Sequence, residues 1–293
     1  MTTLKEYIKD KRPSLSESSL TTYTSILRSL YKKLYGDGDI DFSKFNQADK
    51  ILEHLKTLPP NRRKTILSAL VIITDNKKYR EQMLEDVRDY NKEISKQEKS
   101  PQQEANWVTQ QEVESMYNSL KKNANMIYKK DSITNADLQV IQNFIILALF
   151  NLIAPRRSKD YVDFKIRNVD KDKDNYMEKG KFVFNSYKTA KTYGKQEVAI
   201  PRELTTIINK WIKINPTDYL LFDSNMNPLT AVKLNQRLNR IFDGKKIAVN
   251  ALRHSYLTDK YADDMKKKSS MATDMSNMGS SLSQMETYVK LDD

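Results

Sequence analysis

The chain has 293 residues, a formal net charge of +12 from 50 Lys plus Arg against 38 Asp plus Glu, six glycines and no cysteine. That length holds one large domain or two ordinary ones, and a hydrophobic fraction of 39% supports a packed core. Without cysteine there is no disulfide, thiolate metal site or cysteine nucleophile, and His54 and His254 are too few and too far apart for a zinc cluster. Neither GxxxxGK[ST] nor GxGxxG occurs, which disfavours ATP- and nicotinamide-driven chemistry. The positive excess favours a polyanion such as nucleic acid, although lysine-rich proteins without one are common. The N-terminus lacks a secretory pattern, and the longest apolar run, Phe144 to Phe150, is too short to span a bilayer, so neither secretion nor membrane insertion is expected.

In chain order, Ser16 or Ser18 can cap a helix through Leu34 with Tyr23, Ile26, Leu27, Leu30 and Leu34 on one stripe. Gly36-Asp37-Gly38-Asp39 ends it. A second helix is expected from about Gln47 to Leu58. After Pro59-Pro60, Asn61 to Lys64 opens a third helix carrying Ile66, Leu67, Leu70 and Ile73, and a fourth spans about Lys78 to Ile94. Arg62, Arg63 and Lys64 form the most basic cluster here, either a solvated helix start or a clamp on nucleic-acid phosphate. The polar stretch 91–106, which contains Pro101, offers little to bury. The expected division is therefore a helical domain over 1–92, a linker over 93–106 and a second domain over 107–293.

In the second domain Thr109 and Glu112 make a capping box for a helix carrying Val113, Met116, Tyr117 and Leu120. Asp137 to Leu152 reads as a core helix that stops at Ala154-Pro155. Phe164 to Val169, Lys181 to Tyr187 and Val198 to Pro201 read as short strands, the last two joined across a turn containing Gly194. Helices are expected at Leu204 to Ile214, Thr230 to Phe242 and Ala251 to Met265, followed by a Lys-, Ser- and Met-rich stretch to Ser281 without a clear apolar stripe. The fold class is mainly α with a small antiparallel β-sheet.

Breaking a DNA strand without metal or nucleotide needs a hydroxyl to attack phosphorus, cations to hold the non-bridging oxygens and an acid for the departing 5′ oxygen. Arginine suits the clamp through its planar fork, and lysine suits the acid. Arg157 lies just past the core helix with Asp160 three residues on, Lys188 lies at the hairpin tip, and Arg253 stands beside His254 near a helix start. Each has a bland reading: a basic helix end, a solubilising turn lysine, a structural histidine. Sixteen tyrosines leave Tyr288 unmarked by composition. The residues by themselves describe a basic, two-domain, mainly helical DNA-binding candidate and single out no nucleophile.

The segments LFNLIAPRRSKDY, SYKTAKTYGKQEVAIP, NALRHSYLT and MGSSLSQMETY resemble, in order and setting, successive boxes of the tyrosine recombinase family, which includes phage integrases, dimer resolvases and recombinases of viruses and mobile elements. The resemblance covers about residues 107 to 291. It implies a catalytic domain over 107–293 and, over 1–92, a SAM-like helical bundle that closes on DNA. It implies Tyr288 as nucleophile, Arg157 and Arg253 as phosphate clamps with Asp160 beside them, Lys188 as general acid, and Asn250, His254 and Ser280 as assisting donors. DNA contacts are expected from Arg62, Arg63, Lys64, Arg156 and Lys191. The implied chemistry is cleavage and rejoining through a 3′-phosphotyrosyl link, with no cofactor and no metal.

The implied partners are double-stranded DNA and three further copies of the chain, a tetramer on two sites, with a monomer allowed in free solution. The implied location is the cytoplasm of a prokaryotic host, or a host nucleus or virion for a eukaryotic virus, and the Lys- and Asn-rich composition fits an AT-rich mobile element. Two positions depart from the family pattern. Asn250 stands where the family usually has His, and Ser280 where it usually has His or Trp. Asparagine donates a hydrogen bond but relays no proton near neutrality. The alternatives are a degenerate copy that binds DNA without cutting it and a type IB topoisomerase-like activity. The stretch from Met265 to Ser281 is expected to be mobile without DNA.

Overall fold

The computed structural model describes residues 3–285 and Val289. The chain divides into two compact units, Met1–Lys99 and Ser100–Asp293. Among the described residues, no helix is long and apolar enough to cross a membrane.

The first unit is all helical: α1 (Leu4–Lys11), α2 (Glu17–Tyr35), a 3₁₀ turn at Phe42–Asn46, α3 (Ala48–Leu55), α4 (Pro60–Thr74) and α5 (Lys77–Ser95). Ser16 caps α2 by accepting from the Ser19 amide, and Gly36, at φ +87°, ends it where a side chain would be disfavoured. Leu20, Leu27 and Leu30 of α2 meet Leu67, Leu70 and Ile73 of α4 around Phe45. Tyr79 of α5 is fully buried and donates to the Phe45 carbonyl at 2.8 Å, which anchors α5 to the 3₁₀ turn. Helix α1 was not among the expected elements, although its Thr3–Glu6 capping box is written in the sequence.

The second unit begins with α6 (Pro101–Ala105), where sequence polarity leads one to expect a linker. Ser100 and Gln103 form a capping box around Pro101 at the first helical position, enough to close a single turn without burying anything. Then come α7 (Gln110–Ile127), α8 (Asn135–Asn151), α9 (Ser158–Val162), β1 (Tyr176–Glu178), β2 (Lys181–Phe184), α10 (Ala190–Tyr193), β3 (Gln196–Ala199), α11 (Arg202–Ile214), α12 (Ala231–Ile241), α13 (Val249–Asn277) and a 3₁₀ turn at Leu282–Gln284. Helix α8 is buried on every side from Phe144 to Phe150, as its unbroken apolar run requires.

The three strands form one antiparallel meander in the order β1-β2-β3, with Tyr176 opposite Val183 and Phe182 opposite Val198. One strand expectation needs correction. Phe164 to Val169 makes only single bridges, Phe164 to Asn175 and Lys165 to Tyr219, and Asn168 turns out of the extended region at φ +49°. The sheet instead takes Tyr176–Glu178 as its first strand. A second correction concerns α13, which runs unbroken to Asn277 where a helix end at Met265 is expected. No Gly or Pro interrupts it. A Schellman closure stops it, with the Gly279 amide donating to Ser276 and the Ser280 amide to Met275. Beyond Ser255, Met275 is the one buried residue on α13, so most of the helix is exposed.

Candidate functional site

The site grows from the end of α8. The core helix stops at Asn151, Pro155 prevents continuation, and Arg157 occupies the N-cap position of α9 in an extended conformation. Among the described residues no hydrogen bond or ion pair engages its half-buried guanidinium. Asp160, one turn on, is only 2% exposed.

The partner of Asp160 is Arg156. Arg156 Nε donates to Asp160 Oδ2 at 2.9 Å and Nη1 to Gln196 Oε1 of β3 at 3.0 Å, while the guanidinium lies 3.9 Å from the Phe184 ring centroid. Arg156 is thus turned inward as a bracket between α9 and the sheet. Burial pushes the Asp160 carboxyl up, and the charges of Arg156 and Arg157 oppose that rise. The carboxylate also faces the Arg157 amide, with Oδ1 short of a full hydrogen bond.

Arg253 reaches the same place from α13. Burial lowers its guanidinium, the nearby positive charges of Arg157 and Arg156 lower it further, and Asp160 and Tyr161 act in the opposite direction. Arg156 is bonded to the buried Asp160 carboxylate, and Arg157 and Arg253 lie close enough to feel its charge, so positive charge exceeds negative here by two. Such an excess is the electrostatic complement of a bound oxyanion.

A residue that sequence reasoning missed fixes the neighbouring hairpin. Asn175 is fully buried and all four of its side-chain hydrogen bonds are made. Its Nδ2 donates to the Asp160 carbonyl at 3.1 Å and to the Ser186 carbonyl at 2.8 Å. Its Oδ1 accepts from the amides of Asn185 at 2.9 Å and Ser186 at 2.8 Å. It ties α9 to the start of the β2–β3 connection, two residues before Lys188. Nothing in DKDKDNY distinguishes this asparagine from a solvated turn residue.

Lys188 is exposed on that connection and Lys191 is exposed on α10. Tyr187 OH closes the connection by donating to the Gly194 carbonyl at 2.6 Å. Asn250 and His254 are exposed near the start of α13, on either side of Arg253. Asn235 of α12 accepts from the Val249 amide at 3.1 Å and so serves the helix end that Ala248 leaves uncapped.

Ser280 is not brought to the arginines. From Arg253 to Asn277 α13 rises roughly 36 Å at 1.5 Å per residue, and Ser280 lies beyond its far end. The Ser280 hydroxyl is held there by Gln284 Oε1 at 2.5 Å. Tyr288 lies outside the described residues.

In the first unit, Arg63 makes a bidentate pair with fully buried Asp86, with Nη2 to Oδ1 at 2.6 Å and Nε to Oδ2 at 2.9 Å. The hydrogen bond to Asp86 raises the Arg63 guanidinium. Lys64 Nζ sits 3.1 Å from the Tyr90 ring centroid, and Arg62 is exposed. Among the described residues no group of three or more His, Asp or Glu side chains converges as a metal site would require.

No known protein-family model matches the chain, and no curated protein is similar to it in sequence. Among solved structures the chain resembles XerA recombinase, at 12% identity over 87% of this chain and 81% of that one, with a TM-score of 0.36. It also resembles a lambda integrase dimer bound to a COC′ core site, at 12% identity over 92% and 72% of the two chains and a TM-score of 0.44. A lambda integrase tetramer bound to a Holliday junction is similar at 12% identity over 88% and 69%, again with a TM-score of 0.44. The likeness is distant, and it is of fold. Neither a family assignment nor a residue role rests on it.

Proposed function

We propose that the chain is a DNA strand transferase that cuts and rejoins through a 3′-phosphotyrosyl link, as tyrosine recombinases do. The observation that carries this reading is the meeting of Arg157 and Arg253, remote in sequence, around buried Asp160 with positive charge to spare. The order of the four sequence boxes supports it independently.

On this reading Tyr288 gives up its phenolic proton to solvent and attacks the scissile phosphorus, forming the Tyr Oη–P bond and breaking the P–O5′ bond. Arg157 and Arg253 hold the non-bridging oxygens as charge builds on them, with Asn250 and His254 as further donors and Asp160 setting the local charge. Lys188 passes a proton to the 5′ oxygen as it leaves. A 5′-hydroxyl from a partner strand then attacks the phosphotyrosyl link in reverse. The phosphoester energy is conserved in that link, so the exchange needs no nucleotide. The DNA-contacting roles fall to Arg62, Lys64 and Lys191, whereas Arg63 and Arg156 act as internal brackets.

The length of α13 bears on assembly. An α13 that carries Ser280 some 36 Å from Arg253 of its own chain suits a tetramer on two duplexes, in which C-terminal segments are exchanged between copies. Ser280 belongs to that travelling segment.

The test is a suicide DNA substrate whose cut strand is lost on cleavage. Wild type should form a covalent protein–DNA adduct, and Tyr288→Phe should form none while still binding DNA. A wild type that binds the same site tightly and forms no adduct leaves the chain a non-cutting DNA binder. An adduct that persists in Tyr288→Phe moves the nucleophile elsewhere.

A further inference from the structure

A second cationic site shares no lining residue with the arginine cluster. A cleft of about 320 Å³ opens between α8 and α12, lined by Gln139, Asn143, Asp223, Lys233, Arg237 and Arg240. That volume is at the lower end of the range for small-molecule sites.

Its charges do not cancel. Lys233 Nζ donates to Asp223 Oδ2 at 2.5 Å, a neutral pair. The other oxygen of Asp223 already accepts from the amides of Asn225 at 2.9 Å and Asn227 at 3.1 Å. Among the described residues neither Arg237 nor Arg240 has a carboxylate partner. The excess is two positive charges. Burial, and then the charge of Arg240, pulls the Arg237 guanidinium down to about 10, so it is still charged at neutral pH.

The hydrogen-bond inventory of the wall points the same way. Arg237 donates to the Gln139 carbonyl at 3.3 Å, to Asn143 Oδ1 at 3.4 Å and to Gln139 Oε1. A guanidinium has five N–H groups, so donors remain, Nε–H among them. Gln139 has turned its oxygen to Arg237, and its Nε2 is fully buried and does not face the opening, so the free donors that the cleft offers are those of the arginines. What this wall lacks is acceptors. A ligand that offers only acceptors and two negative charges answers both deficits.

We propose that this cleft binds a phosphate monoester dianion through Arg237 and Arg240. A monoester near neutrality carries close to two negative charges, whereas a backbone diester carries one, so the charge count favours a terminal phosphate over a nucleic-acid backbone. The cleft keeps this chemistry whether or not the arginine cluster cuts DNA.

Inorganic phosphate is the first probe, titrated at pH 7.5 against sodium chloride at constant ionic strength, with the unfolding midpoint and phosphorus NMR line width as readouts. Wild type should show a saturable midpoint rise and broadening that chloride does not reproduce. Arg240→Gln, on the exposed side of the cleft, should weaken binding about tenfold with its phosphate-free midpoint unchanged, and Arg237→Gln should abolish binding. Dimethyl phosphate, a monoanion, should bind about tenfold more weakly than phosphate. Equal responses to phosphate and chloride, an unaltered affinity in Arg240→Gln, or dimethyl phosphate binding as well as phosphate each overturn the proposal. Competition by a short duplex with 5′-phosphate ends, and none by the same duplex with 5′-hydroxyl ends, assigns the monoester to a DNA terminus. Competition by neither assigns it to a free phosphate ester.

Discussion

Asp160 accepts its side-chain hydrogen bond from Arg156 Nε at 2.9 Å, while the guanidinium of Arg157, the next residue, makes none among the described residues. Two adjacent arginines therefore do different work. Arg156 neutralises a buried carboxylate and stacks on Phe184, and half-buried Arg157 is left without an ion pair among the described residues.

Removing Arg156 should therefore be far more damaging to the fold than removing Arg157. Arg156→Ala leaves the Asp160 charge buried and unpaired, which costs about 3–5 kcal/mol. Arg157→Ala breaks no such pair and should cost about 1 kcal/mol or less. Denaturant unfolding of both variants decides the matter; equal losses, or a larger loss for Arg157→Ala, contradict the assignment.

Asn175→Ala should lower stability by about 2–6 kcal/mol, since four hydrogen bonds worth roughly 0.5–1.5 kcal/mol each are lost. Amide hydrogen exchange should speed up at Asn185 and Ser186 in particular, because their amides lose the acceptor Oδ1. Unchanged exchange at those two positions counts against Asn175 as the tie between α9 and the hairpin.

Much of this architecture is legible in the sequence and some is not, for identifiable reasons. The capping boxes Thr109–Glu112 and the apolar run of α8 mark their helices directly, because cap chemistry and continuous burial are local signals. The expected pairing of Lys181 to Tyr187 with Val198 to Pro201 also appears as β2 against β3, with both strands shorter or shifted. The strand expected at 164–169 is absent because only Phe164 and Lys165 find single bridge partners and Asn168 turns out of the extended region, so no ladder forms. Two facts were out of reach. A three-residue spacing suggests that Asp160 faces Arg157, and only the packing of Phe184 and Gln196 decides for Arg156 instead. The last turns of α13 bury almost nothing, so no hydrophobic period announces them.

Arg62 and Arg63 are neighbours with separable predicted effects. Arg62→Ala should weaken DNA binding and reduce the dependence of log affinity on log salt by about one unit, with stability unchanged. Arg63→Ala should act first on stability, because it strips the partner from buried Asp86. Fluorescence anisotropy over a salt series, paired with unfolding curves, separates the two. A lower salt slope from Arg63→Ala at full stability contradicts this division.

Asp137 predicts an acid-side sensitivity. Its hydrogen bonds from Lys130 and from the Thr134 amide and hydroxyl hold its carboxyl at about 2, below the ordinary 3.8. The unfolded chain takes up the proton first as the pH falls. The stabilisation is therefore complete above about pH 4 and is lost progressively as the pH drops toward 2. Asp137→Asn should reduce stability at pH 7 and flatten the fall between pH 4 and pH 2, read from unfolding midpoints. A variant that falls as steeply as wild type through that window contradicts the role of Asp137.

The most direct test of the shared-phosphate account is the single-turnover cleavage rate of Arg157→Ala and Arg253→Ala on a suicide substrate, measured at saturating protein. Each variant should bind DNA yet cleave about 10²–10³-fold more slowly, as expected when a donor to a developing oxyanion is removed. Cleavage at the wild-type rate by either variant contradicts the claim that these two arginines act together on one phosphate.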